Sequence, residues 1–260
     1  MIRMPNSKDD LKDPKFWRAV AAEFIATALL LSLCVGGSIQ WDPTHTSSVV
    51  QLSLSSGLTV ATIVQCFGHV SGAHINPAVT CTFLATRKIS VARALTYIVA
   101  QSVGSIAGAG LIYAVTPVGS RGDLGVTSLG PGVSIGQGFA VECLITFVLL
   151  FTVFATIDPH RKDIQGSAAL AIGLAVVTTN LFAIQYTGAS MNSARSFGPA
   201  VIMNSWQDHW IYWAGPVLGG ITAGVVYEYL FSAKTTKDTI SNCMLASKEV
   251  ELVEEKVSTV

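Results

Sequence analysis

Six apolar runs punctuate the chain at membrane-spanning length: Phe16–Ile39, Val49–Phe67, Ala94–Val115, Ile135–Ile157, Ser167–Ile184 and Trp210–Phe231. A helix that crosses a bilayer needs about 17–25 such residues, so each run predicts a transmembrane helix. Val49–Phe67 and Ser167–Ile184 are shorter and richer in Ser and Thr than the others. Two further segments, Asn76–Thr86 and Asn192–Met203, are too short to cross alone. Each opens on Asn, a strong helix N-cap, and Pro77 suits the first helical position, where its missing N–H is not wanted. Ser193 stands at the matching place in the second segment. Both are predicted as half-helices dipping in from opposite faces. Helix ends stranded in lipid are costly unless they line something wet.

The short segments belong to a repeat. Ser71-Gly-Ala-His-Ile-Asn-Pro-Ala78 returns 116 residues later as Thr187-Gly-Ala-Ser-Met-Asn-Ser-Ala194. Glu23 and Thr27 in the first run correspond to Glu142 and Thr146 in the fourth. The third run carries Gly104-x-x-x-Gly108, and the sixth carries Gly215-x-x-x-Gly219 and Gly220-x-x-x-Gly224. Such spacing lets helices approach closely in lipid. Each half holds three spans, an odd number, so the second half inserts upside down relative to the first. The predicted fold is an all-α membrane protein: six transmembrane helices plus two re-entrant half-helices in an inverted repeat. The first repeat covers 16–115 and the second 135–231 of a channel domain at 16–231. An N-terminal segment precedes it at 1–15, and a polar tail at 232–260 is expected to be disordered.

Composition agrees with a membrane protein. Half of the 260 residues are hydrophobic and 12% are charged, against about a quarter charged in ordinary soluble domains. Sixteen Lys and Arg balance sixteen Asp and Glu, so nothing points to nucleic acid. No signal peptide is visible in Met1–Lys15. The cations fall on one side of a six-span topology: Arg3, Lys8, Lys12, Lys15, Arg18, then Arg87, Lys88, Arg93, then Arg161, Lys162, then the tail lysines. On the other side Arg121 is the one loop cation. The positive-inside rule puts both termini in the cytosol, in the plasma membrane by expectation. The five cysteines show no paired spacing and read as packing residues, neither a disulfide framework nor a metal site.

Glu23 and Glu142 are ionisable groups inside spans, which points to function or to an internal hydrogen-bonding role. Proton relay is one reading. Anchoring of the re-entrant segments through their backbone N–H groups is the other, and the symmetric occurrence favours it. A coupled transporter needs several acidic groups near the midplane, and few are available. A channel needs polar lining, which the Asn pair supplies. No nucleophile–base or metal constellation suggests an enzyme or a cofactor.

These residues together resemble the aquaporins of the major intrinsic protein family over Phe16–Phe231. The resemblance rests on the boxes Asn76-Pro77-Ala78 and Asn192-Ser193-Ala194, the paired Glu-x-x-x-Thr and Ala194-Arg195-Ser196. Ser196, Ala200, Tyr212 and Trp213 match the water-channel branch, and Tyr186–Met191 and His209–Trp213 are most similar to its aquaporin four group. The resemblance implies a passive water channel in membrane lipid, homotetrameric, with one pore per subunit. Half-helix N-termini place positive dipole ends at mid-membrane and oppose cations there. Asn76 and Asn192 would each donate to a passing water, whose own hydrogens then point outward, which interrupts a proton wire. Carbonyls of Gly72, Ala73, His74 and Ile75, and of Gly188, Ala189, Ser190 and Met191, would line one wall as acceptors.

Two departures stand out. Ser193 replaces the usual Pro, and a first-turn Ser leaves the cap geometry available. The family's outer constriction falls on Ser56, Asn180, Ala189 and Arg195, where water-selective members usually carry Phe and His at the first two positions. Losing both rings widens the site and weakens size exclusion. Urea or glycerol therefore become candidate passengers, unless neighbouring side chains fill the gap. Ala189 also removes a thiol that some members present to mercury, so low mercury sensitivity is expected unless Cys66 or Cys81 faces the lumen.

Peripheral features are less specific. His69 could sense pH at the inner mouth or simply line it. Arg87-Lys88-Ile89-Ser90 resembles a basophilic kinase site, with orientation as the plainer role of the basic pair. Ser258-Thr259-Val260 fits a class I PDZ ligand, bound by strand addition to a PDZ-domain protein. A junction or scaffold protein that uses the outer loop or this ending is the alternative of another class.

Overall fold

The computed structural model describes residues 4–42, 47–163 and 166–234. The Ser258–Val260 ending, Cys243 and most of the tail expected to be disordered lie outside these residues. Among the described residues nine α-helices follow in order: α1 Ser7–Lys12, α2 Pro14–Gly36, α3 Val49–Ser71, α4 Pro77–Ala85, α5 Val91–Val115, α6 Ile135–Ile157, α7 Ala168–Thr187, α8 Ser193–Met203 and α9 Ile211–Val226. A short 3₁₀ turn covers Val118–Ser120, and no strand occurs among the described residues. α2, α3, α5, α6 and α7 are each long and apolar enough to cross a membrane. The sixth predicted span is α9, which continues as a π-helical turn over Tyr227–Phe231. Polar caps set the boundaries: Asp13, Ser48, Ser90, Ser134 and Ser167 side chains accept from first-turn N–H groups of the five long helices.

The two repeats interlock. α2 packs along α5 and α6 along α9, while α3 lies against α7 across the halves. Each half-helix crosses over: α4 packs on α9 and α8 on α5. Close approach depends on Gly104 and Gly219, where a Cβ would strike the Phe24 and Cys143 carbonyls respectively. Phe24 follows Glu23 and Cys143 follows Glu142, so Gly104 is the structural partner of Gly219 rather than of Gly215. The same register matches Tyr97 with Tyr212, and Gln101 with Pro216. Outside the bundle, Leu29, Leu33, Leu58, Leu95, Leu144 and Leu174 stay exposed, as lipid-facing positions require.

The connection between α5 and α6 is folded onto the bundle rather than free. Leu124 is buried within one apolar cluster, Thr127 is also buried, and the Gly130 N–H donates to the Tyr186 carbonyl at 2.9 Å. At the end where α6 finishes, Asp158 fastens the exit of the last span. It accepts from the Tyr227 hydroxyl at 3.1 Å, the Ala233 N–H at 2.8 Å and the His160 N–H at 2.9 Å. Burial pushes its pKa up, but the bonds from Ala233, His160 and Tyr227 outweigh that and hold it below the ordinary carboxylate value.

Candidate functional site

Each Asn box is assembled in the same way. Asn76 is extended at φ −159° and its side-chain oxygen accepts from the Ala78 N–H at 2.8 Å. Asn192, at φ −145°, accepts from Ala194 at 3.0 Å and Arg195 at 3.2 Å. Their amides then cross between repeats. Asn76 Nδ2 donates to the Met191 carbonyl and Asn192 Nδ2 to the Ile75 carbonyl, both at 2.8 Å. An amide carries two N–H groups, so each Asn keeps one free of this exchange.

The segments leading into the boxes are strained. α3 and α7 end on left-handed Gly72 and Gly188. Ala73, Ile75, Ala189 and Met191 follow with φ of 45–51°. Such angles are rare for residues with a Cβ, most of all for branched Ile75, and cost roughly 1–3 kcal/mol each. The two buried carboxylates offset that cost. Glu23 accepts from the Ser71 hydroxyl at 2.6 Å, the His74 N–H at 2.9 Å, the Ile75 N–H at 2.7 Å and Gln101 Nε2 at 2.8 Å. Glu142 accepts from the Thr187 hydroxyl at 2.6 Å and from the Ser190 and Met191 N–H groups at 2.9 Å. With the N–H groups turned to the carboxylates, the carbonyls are left over. Among the described residues no protein donor reaches the carbonyls of Gly72, Ala73, His74, Ala189 or Ser190.

Those groups line a cavity of about 630 Å³. It runs from Arg195, Asn180, Ala189 and Ser56, past Asn76 and Asn192, to His69, Ile157 and Ser167. One wall is the strained backbone of residues 72–76 and 189–192. The other is apolar, with Val60, Val64, Val79, Phe83, Leu149 and Val176. Pro77, Ala78, Ser193 and Ala194 are buried behind this surface. Gly188 also stays outside the lining and packs on Thr127, because the left-handed cap turns it away from the lumen.

At the far end Arg195 is tied to the folded connection by a 2.6 Å bond from Nη1 to the Gly125 carbonyl. A buried hydroxyl chain braces the same loop: Thr127 donates to Ser196 at 2.8 Å, Ser196 meets Ser190 at 2.6 Å, and Ser190 donates to the Asn192 carbonyl at 3.0 Å. Asn180 turns its Nδ2 back to the Val176 carbonyl at 2.8 Å, which leaves its side-chain oxygen uncommitted to the helix.

Three sequence expectations change here. Ser90 is fully buried, caps α5 through the Arg93 N–H at 3.0 Å and donates to Asp10 at 2.5 Å, so a kinase cannot reach its hydroxyl in this structure. Cys66 and Cys81 lie outside the cavity lining. Cys34 lies in it, beside the Ser56 and Thr59 hydroxyls and close to Arg195, although its apolar surroundings in sequence suggested packing alone. Mercuric ion is therefore expected to inhibit flux severalfold, and Cys34→Ala to remove that inhibition while the Cys66→Ala control leaves it intact. Swelling assays with each variant measure it.

Ser193 keeps the half-helix but not the economy of proline. Its hydroxyl is buried without a partner, a loss of about 1–3 kcal/mol. Asn192 already holds the extended conformation that precedes proline. Ser193→Pro is thus expected to stabilise the protein by roughly 1–2 kcal/mol. Thermal unfolding should shift up by a few degrees while water permeability stays unchanged.

The sequence matches the family profile described as major intrinsic protein over residues 10–227. The chain belongs to the major intrinsic protein family. It is 54% identical over 219 residues to aquaporin-4 of Mus musculus and of Homo sapiens, covering 83% of this chain and 68% of each relative. It is 45% identical over 221 residues to the lens fiber major intrinsic protein of Oryctolagus cuniculus, covering 85% of this chain and 84% of that one. The fold is shared with the aquaglyceroporin of Plasmodium falciparum, at a TM-score of 0.76 and 20% identity over 85% of this chain and 98% of that one. Within this major intrinsic protein, the residues that sequence spacing did not reveal are Cys34, Gln101 and Thr127. Each acts across the bundle from a distant element, with no local motif to mark it.

Proposed function

We propose that the protein is a passive water channel that excludes protons and ions, with both termini in the cytosol and one pore in each subunit of a homotetramer. The reciprocal bonding of Asn76 and Asn192 carries this reading. Each amide has one N–H fixed on the opposite loop and one left to donate to water at the centre of the cavity. A water held by both accepts twice, so its hydrogens point away along the file and no proton wire passes through. The Arg195 guanidinium, held by Gly125, adds a positive barrier to cations. Likeness to aquaporin-4 across the membrane domain supports the same conclusion.

A wider specificity has its own support. Ser56 and Asn180 stand where rings would narrow the lumen, and the cavity extends past Ser56 to Cys34. Urea and glycerol are accordingly proposed as additional passengers. Proteoliposomes shrunk by an impermeant osmolyte test water flux, and iso-osmotic urea and glycerol gradients test the solutes. Shrinkage no faster than in empty liposomes overturns the channel reading. Water flux without solute flux leaves a strict water channel.

A further inference from the structure

Most of the brace around the first pore loop has a twin in the second. The Tyr97 hydroxyl donates to the Ser71 carbonyl at 3.0 Å, and the Tyr212 hydroxyl donates to the Thr187 carbonyl at 3.1 Å. Besides the Gln101 amide on Glu23, a second part has no twin. Four residues before Tyr97 is Arg93, whose Nη1 donates to the Tyr97 oxygen at 3.1 Å. Four residues before Tyr212 is Asp208, which has no such donor. Arg93 Nη2 meets Asp10 Oδ1 at 2.5 Å, and the other Asp10 oxygen accepts from Ser90. Ser7 completes the contact by accepting from the Ala92 N–H at 3.2 Å. α1 thus supplies side chains to the open N-terminus of α5, and its docking is polar throughout, since it buries no residue.

We propose that α1 is a latch on the first pore loop, in which Asp10, acting through Arg93 and Tyr97, is a positioning residue for the Ser71 carbonyl and the lining that follows it. A phenol has one hydrogen to give. With the Arg93 N–H occupying the acceptor side of the Tyr97 oxygen, that hydrogen is directed to Ser71, and the linked bonds strengthen one another. Asp10 fixes the long Arg93 side chain at the start of the series. Ser71 passes the restraint on: its hydroxyl donates to Glu23 and accepts from the Ala73 N–H at 3.0 Å. Gly72, Ala73 and Ile75 hold positive φ immediately beyond. A strained loop persists only while its surroundings over-determine it, so loss of one restraint lets the Gly72–His74 carbonyls move off the water path.

The test uses the full chain in proteoliposomes. Asp10→Asn and Tyr97→Phe are each expected to lower unit water permeability by about two- to threefold. The double variant should fall no further, because both break one series. Asp10→Glu should restore wild-type flux. In hydrogen exchange, the His74 and Ile75 amides, remote from α1, should lose protection in Asp10→Asn. Unchanged flux in Asp10→Asn with unchanged protection at His74 and Ile75 overturns the proposal, and so do independent, multiplying losses in the double variant. Should Tyr97→Phe fail to assemble, Asp10→Asn alone decides, because it removes no buried group. If the wild-type chain carries no water, the water-channel reading fails, and hydrogen exchange still decides whether the latch exists.

Discussion

Returning rings to the constriction, by Ser56→Phe together with Asn180→His, is expected to cut urea and glycerol permeability by about tenfold or more while water continues to pass. Both positions line the cavity opposite Arg195, and neither present side chain fills the space a ring would take. Asn180 spends one N–H on the Val176 carbonyl and keeps its oxygen and second N–H, a small polar group where an imidazole would put a rigid ring. The Gly125 bond that fixes Arg195 involves neither substitution, and the Asn76 and Asn192 crossing lies deeper. Water therefore meets a narrower neck but an unchanged centre, and its unit permeability should fall far less than that of the solutes. A second readout comes from Cys34, which reaches the lumen beside Ser56. The introduced Phe ring should shield it and blunt mercury inhibition. Solute flux that persists in the double variant would mean that size is set elsewhere along the cavity.

How much of this arrangement can be read along the chain depends on whether its contacts are local. The Asn76 and Asn192 boxes are legible because capping is a short-range matter: Asn, then a first-turn residue, then an apolar helix. The six spans are legible for a similar reason, since crossing lipid demands one long apolar run apiece. Glu23 and Glu142 can be found because the repeat places each seven residues into its apolar run, which opens at Phe16 and Ile135 respectively, with no cation at helical spacing beside it. Their partners are another matter. Gln101 shares no motif with Glu23, Thr127 sits in a loop with no periodicity, and Cys34 looks like any small apolar residue on a helix. The glycines mislead in register, because Gly215 and Gly220 open the same Gly-x-x-x-Gly spacing as Gly104, whereas the contacts with Phe24 and Cys143 pair Gly104 with Gly219. Positive φ at Ile75 and Met191 was invisible, since both residue types argue against that conformation. Ser90 misled in the opposite sense. Its basic context describes a kinase target, whereas its hydroxyl is consumed by a helix cap and by Asp10, eighty residues earlier.

Neutralising the two buried carboxylates is expected to have unequal effects, with Glu142→Gln the more damaging although Glu142 makes fewer bonds. Glu142 receives only donors: the Thr187 hydroxyl on one oxygen with the Ser190 N–H, and the Met191 N–H on the other. A glutamine there must aim its NH₂ at a group that also donates. At least one buried N–H or O–H is then unpaired, at about 1–3 kcal/mol, and the opposed donors repel in addition. Met191 and Ala189 lose the hold that sustains their positive φ, so the second Asn box loosens as well. Glu23 faces donors too, and the Ile75 N–H shares one of its oxygens with the amide of Gln101, but that amide can rotate and present its oxygen to the new NH₂. Pro216 stands at the equivalent place in the second repeat and can offer no such exchange. Glu23→Gln, which still leaves the Ile75 N–H unpaired, should therefore lose about 1–2 kcal/mol, whereas Glu142→Gln, which leaves its own NH₂ unpaired as well, should lose about 2–4 kcal/mol. Thermal unfolding of the detergent-solubilised protein ranks the two, and Gln101→Leu introduced beside Glu23→Gln should remove the difference. Equal losses for Glu23→Gln and Glu142→Gln would show that the rotation of Gln101 compensates nothing.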